Sequence, residues 1–207
     1  MAIYPYVTES LTDFRNIEFQ NKYHEGLKKV KEDFGKEYPI IIGGKRIFTG
    51  KTFDSFNPAN HKELIGRVHQ ATIKEAEMAM QVALDTFKTW SQVDSSYRAD
   101  VLFKAAAICR RRRFEIAALM TKEAGKPWVE SDADVAEAID FLEYYGRQML
   151  ELEHIDQKIL SIPYYERNEY KYIPLGVGAI ITPWNFPFAI LTGMTTAAIV
   201  TGNTVLL

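Results

Sequence analysis

One cysteine in 207 residues excludes an internal disulfide, and with it every small disulfide-stapled scaffold and every zinc-ribbon spacing. The four histidines, His24, His61, His69 and His154, are too scattered along the chain to suggest a metal site. Charge of one sign is not in excess: 25 basic against 27 acidic side chains leave a net charge of -2, with no electrostatic footprint for nucleic acid or an anionic membrane. The only basic run, Arg110 to Arg113, fans around a helical cylinder and makes no stripe. The first residues, "MAIYPYVTES", have neither a basic region nor an apolar core of the kind an export signal carries, so a cytoplasmic location is expected. The glycine fingerprint of dinucleotide folds, G-x-G-x-x-G, is also missing: Gly176 and Gly178 are followed by Ile181 where the third glycine would fall.

A further absence is local. From Gly176 to Leu207 there is no Asp, Glu, Lys or Arg, although 25% of the chain is charged. Pro183, Asn185, Pro187, Gly193, Gly202 and Asn203 interrupt this stretch and no basic cluster flanks it, which argues against a membrane span. A doubly covered strand of a parallel sheet reads as a continuous apolar run, and the crossover to the next strand is a helix. The stretch therefore predicts a strand over Val177 to Thr182, a turn at the prolines, a helix from about Phe188 to Val200, a stop at Gly202-Asn203 and a second strand opening at Thr204.

What is present upstream is mostly helical. With 47% hydrophobic residues the chain can bury a sizeable core as one large domain or two small ones. Phe19, Tyr23, Leu27, Val30 and Phe34 recur at helical spacing and end at Gly35, after which "YPIIIGGKRIF" reads as a hairpin turning at Gly43-Gly44. Thr72 and Glu75 form a capping box ahead of Ile73, Met80, Ala83 and Phe87, a stripe expected to pack on the later sheet. A third helix is predicted from near Ser96 to Gly125, with Leu102, Ala105 and Cys109 on one face. A fourth follows Pro127 and runs to about Leu152. Residues 155–172 alternate loosely and are read as an extended hairpin. The fold class is α/β: helices and a small hairpin leading into the first βαβ unit of a doubly wound parallel sheet.

The chemistry is expected at the carboxyl end of the first sheet strand, where open α/β sheets bind ligands. There "TPWNFP" sets Asn185 between two prolines, which fix their own φ and restrict Thr182 and Phe186. A held amide donor without charge suits an oxygen that becomes negative only as reaction proceeds. The alternative is that Asn185 bonds backbone in a tight turn. Glu137 is the second candidate. With Phe141 and Tyr144 it shares one face of the fourth helix, beside the apolar stripe of Val135, Ala138, Leu142, Tyr145 and Met149. A partly desolvated carboxylate suits an α-ammonium group, and the alternative is a surface or packing glutamate. Cys109 lies on an apolar stripe and reads as a small hydrophobe, against the alternative that neighbouring arginines activate it.

"ITPWNFP" followed by "TGNTVLL", with "EAGKPWVE" upstream, resembles the amino-terminal part of the aldehyde dehydrogenase superfamily over essentially the whole chain. "FGKEYPIIIGG", "FKAAAICRRRR" and "AEAIDFLEYYGRQM" more narrowly resemble the bacterial 1-pyrroline-5-carboxylate dehydrogenases, which oxidise L-glutamate γ-semialdehyde to glutamate. The resemblance implies NAD⁺ bound without the glycine fingerprint, against Ile181, Thr182, Pro183 and Trp184. It implies that Asn185 stabilises the oxyanion of a thiohemiacetal and that Glu137 and Phe186 line the substrate channel. It also places the family's nucleophilic cysteine and general-base glutamate beyond Leu207, so the chain reads as a truncated, inactive part of a homo-oligomeric enzyme. The expected division is 1–153, a helical part of the cofactor-binding domain; 154–175, an extended hairpin for oligomerisation; and 176–207, the first βαβ unit. An aldehyde dehydrogenase of different substrate, or a noncatalytic interaction module, are the other readings.

Overall fold

The structure, a computed structural model, describes residues 4–153 and 165–207. Helix α1 (Ile17–Lys31) starts where the Asn16 side chain accepts the Glu18 N–H, and it carries Glu18 in its first turn and Lys28, Lys29 and Lys31 in its last, as the helix dipole favours. Tyr23 is wholly buried, stacked on Trp128 with centroids 4.4 Å apart, and its hydroxyl pairs with Thr121 at 2.7 Å. A Cβ at Gly26 would stand 2.5 Å from the Phe114 carbonyl oxygen, so glycine is what lets α1 cross so closely over the later chain.

Strands β2 (Ile40–Ile42) and β3 (Lys45–Ile47) form the expected hairpin, turning at Gly43 and Gly44 with φ of 56° and 75°. A second sheet has the order β1-β5-β4, with β1 (Lys36–Tyr38) parallel and β4 (Thr52–Asn57) antiparallel to β5 (Asn60–His69). Strand β1 is exposed and the central β5 is mostly buried or half-buried, but neither they nor β4 show the apolar-polar alternation by which a half-buried strand is read.

Helix α2 (Ile73–Trp90) begins with the expected capping box, the Thr72 N–H donating to Glu75 at 2.9 Å. It does pack on the later sheet, but only part of the predicted stripe is covered: Ala83 is buried and Phe87 half-buried. Ile73 and Met80 stay 78% and 43% exposed, while Ala83 is buried and its carbonyl accepts the Thr204 hydroxyl at 2.9 Å. A small side chain admits the strand where a bulky one would hold it off. The expected third helix is two, α3 (Ser95–Arg111) and α4 (Arg113–Glu123), broken at Arg112 with φ −102° and ψ 14°. No glycine or proline marks the break; it directs Arg113 to Asp132 and Phe114 to α1.

Helix α5 (Trp128–Leu152) follows Pro127 and matches its expected extent. The segment from Tyr4 to Asp13 lies along it without regular structure, tied by polar bonds. The Glu9 N–H donates to Asp140 at 2.8 Å, and Thr12 gives its N–H and hydroxyl to Asp132 at 2.8 and 2.7 Å. The arginine run pairs singly rather than as a patch. Arg110 reaches Glu9 and Glu143 at 2.8 and 2.6 Å, Arg112 reaches Glu115, and Arg113 makes a fork on Asp132 at 2.6 and 2.7 Å. Arg112 beside Glu115 holds that carboxyl well below its ordinary value, at about 2.

The end of the chain is the predicted βαβ unit: β6 (Val177–Ala179), α6 (Ala189–Val200) and β7 (Thr204–Leu206), with β6 and β7 parallel from Val177↔Thr204 to Ala179↔Leu206. The first strand is shorter than the expected Val177 to Thr182, and Ala179 is exposed rather than covered on both faces. The Asn203 side-chain oxygen ties the entry to β6, accepting the N–H groups of Leu175 and Gly176 at 2.7 and 2.9 Å. The extended hairpin expected over 154–175 lies partly outside the described residues, and its described part, 165–175, carries no strand.

Asp132 is 1% exposed and Arg113 12%, so removing the cation strands a buried carboxylate. Arg113→Ala should lower the unfolding free energy by about 3–5 kcal/mol in urea titrations, while the exposed Arg111→Ala should stay within about 0.5 kcal/mol. Equal effects would mean that Thr12 alone satisfies Asp132.

Candidate active site

The site is built at the amino end of α6. Phe188, which precedes the helix, has no side-chain acceptor, and the orphan N–H of Ala189 is satisfied from another helix: it donates to Asp134 of α5 at 2.6 Å. Asp134 is fully buried and pairs through its other oxygen with Lys126 at 2.7 Å. Lys126 in turn donates to the Asn185 carbonyl at 3.2 Å and sits 4.2 Å from the centroid of the Phe186 ring. Gly125, at φ 70° and pressed against Pro58, and Pro127, at the start of α5, frame Lys126 in the link between α4 and α5.

Asn185 lies in the turn between β6 and α6, exposed. Among the described residues its side-chain amide makes no hydrogen bond, so the turn does not use it as a backbone acceptor or donor. Ile181 and Trp184, 85% and 83% exposed, flank the partly buried Thr182 and the exposed Pro183 at the carboxyl end of β6, forming an open apolar surface. Phe186 is half-buried beneath Lys126.

Glu137 is half-buried and has no ion pair among the described residues. It lies three residues after Asp134, which holds Ala189, and four before Phe141, whose ring would stand 2.8 Å from a Cβ at Gly193. The face of α5 that bears Glu137 is thus the one packed on the first turns of α6. The structure places Glu137 on the face of α5 that meets α6, but it does not bring Tyr144 with it. Tyr144 turns to Tyr6, with centroids 5.3 Å apart, and Phe141 stacks instead on Tyr145 at 5.5 Å. The stripe of Val135, Ala138, Leu142, Tyr145 and Met149 is buried or half-buried as expected.

Sequence reasoning missed Lys126 and Asp134. A signal existed: Asp134 falls at helical spacing with Ala138 and Phe141, and a carboxylate in an apolar register demands a cation. Among the described residues no group of three or more His, Cys, Asp or Glu side chains is placed to hold a metal, and no helix is long and apolar enough to cross a membrane.

Comparison with known proteins places the chain in a family. A profile of the Aldehyde dehydrogenase family matches residues 48–207. The 1-pyrroline-5-carboxylate dehydrogenase of Bacillus thuringiensis (strain Al Hakam) is 57% identical over 202 residues, 98% of this chain and 39% of that protein. A solved 1-pyrroline-5-carboxylate dehydrogenase from Thermus with bound NAD is 43% identical, with a TM-score of 0.93 over 99% of this chain and 40% of its own. Proline utilization A from Bdellovibrio bacteriovorus is 41% identical, with a TM-score of 0.90 over 97% and 21%. The chain therefore spans 39% of the length of the curated relatives it matches.

Cys109 stands apart from this site. It is 9% exposed in the core with Leu102 and Ala106, and burial pushes its thiol up against the weaker pull of Arg112 and Arg110. A disulfide reagent should label it at least about 10²-fold more slowly in the native chain than in guanidinium. Rapid labelling of the native chain would make it a reactive thiol.

Proposed function

This chain belongs to the aldehyde dehydrogenase family, and from that premise we propose that it supplies the oxyanion donor and part of the cofactor surface of an NAD-dependent enzyme oxidising L-glutamate γ-semialdehyde to glutamate. The observation that carries this reading is the Asn185 amide: exposed, without a hydrogen bond among the described residues, at the carboxyl end of β6. An amide so held can donate to an aldehyde oxygen as it becomes negative, without introducing a charge when the oxygen is neutral. Ile181, Thr182, Pro183 and Trp184 fit a cofactor that lies on an apolar surface rather than in a glycine loop, since two of them offer broad exposed faces there. NAD, when bound, accepts the hydride of the aldehyde carbon.

Glu137 and Phe186 complete the reading at the substrate end. A half-buried carboxylate without a partner is matched by the α-ammonium of an amino-acid aldehyde, and Phe186 offers an apolar wall. The enzyme has the small-molecule aldehyde as its partner, acts in the cytoplasm and functions as a homo-oligomer. The sole cysteine being buried in the core, the chain by itself supplies no thiolate to the aldehyde and is inactive alone.

The test is a chimaera in which this chain replaces the matching segment of the Bacillus thuringiensis relative, assayed for NADH with glutamate semialdehyde. Asn185→Ala should lower kcat by roughly 10²–10³-fold with little change in NAD affinity, and Asn185→Asp should do at least as badly. If Asp keeps most of the activity while Ala lowers the melting temperature, Asn185 is a turn residue. Glu137→Gln should raise KM for glutamate semialdehyde more than for a simple aliphatic aldehyde, a difference of about 1.5–3 kcal/mol. Equal losses on both would reduce Glu137 to a packing residue.

A further inference from the structure

The turn that bears Asn185 has little of its own to hold it. Pro183 and Pro187 have no N–H to give, and among the described residues the one hydrogen bond to the backbone from Ile181 to Pro187 is the Lys126 ammonium on the Asn185 carbonyl. Just beyond, the Ala189 N–H ends on Asp134. Lys126 and Asp134 are one ion pair at 2.7 Å, 12% and 0% exposed. We infer that Lys126 and Asp134 are positioning residues for Asn185, a single buried pair that grips the turn at its middle and at its junction with α6.

Three features make this more than an incidental salt bridge. The lysine acts on the residue that carries the amide, through its carbonyl, so the peptide plane next to the Asn185 side chain is fixed while the amide stays free. The same ammonium lies over the Phe186 ring, which stops that ring from swinging and dragging its neighbour. Asp134 is buried on α5, so the grip is referred to a long rigid helix and not to another loop. The inference rests on the reading of Asn185 as an oxyanion donor for its meaning, but not for its test.

Backbone ¹⁵N relaxation on the full 207-residue chain reads the grip directly. The Asn185 and Phe186 amides should have order parameters near 0.85 in the native chain. The double variant Lys126→Met with Asp134→Asn removes both charges together, strands neither, and keeps an acceptor for Ala189. In it the order parameters at 185 and 186 should fall below about 0.6 while those of α3 and α5 stay. Lys126→Arg, which retains a donor and a cation above the ring, should restore rigidity. The inference is overturned if the native turn is already mobile, if the double variant leaves residues 185 and 186 as rigid as before, or if order is lost throughout the chain. Asn185→Ala in the chimaera decides the oxyanion reading separately: loss of that reading would leave the relaxation result intact.

Discussion

A carboxylate taken out of water needs a cation or several donors at once, and α5 buries two of them, Asp132 and Asp134, two residues apart. Two residues on a helix are about 200° apart, so the two demands point to opposite sides of α5. Asp132 is met by Arg113 and Thr12, which fixes α4 and the leading segment on one side. Asp134 is met by Lys126 and the Ala189 N–H, which fixes α6 and the Asn185 turn on the other. The placement of the neighbouring elements follows from satisfying these two groups, with the apolar core of Tyr23, Leu102, Val135, Ile139 and Leu142 supplying the bulk of the burial.

The Asn185 turn is free of charge while its support is made of charge. On the proposed reading of Asn185 as an oxyanion donor, a formal charge beside it would act on a neutral carbonyl already at rest, whereas a dipole held from behind acts mainly as charge develops. The Lys126 ammonium, neutralised by Asp134 and directed at a carbonyl, gives the turn stiffness without giving the open side of the turn a net charge.

Sequence patterning revealed those elements whose periodicity or punctuation is strong. The glycine pair of β2 and β3, the capping box of α2, the proline before α5 and the parallel β6-α6-β7 unit all carry such marks, and all are present. The break at Arg112 carries none, because it is set by where Arg113 and Phe114 must reach. The sheet of β1, β5 and β4 was illegible for lack of alternation, and the stripe read on α2 held for Ala83 but not for Ile73 and Met80, which stay exposed. At the proposed site, Asn185 and the residues around it were singled out by the prolines and by the family resemblance. Lys126 and Asp134 were not, since partnership between distant charges is a three-dimensional fact.

Helix α6 is 12 residues long, and both its ends are closed by side chains of other helices: Asp134 at Ala189, and Arg98 and Trp90 on the carbonyls of Val200 and Ile199 at 2.7 and 2.9 Å. A helix that short is marginal by itself. All three of its closing groups lie earlier in the chain, on α2, α3 and α5, so a ribosome delivers them before α6 is complete. The order of synthesis therefore matches the order of dependence, and α6 can form directly onto a prepared bed with no need for an interval as a free helix.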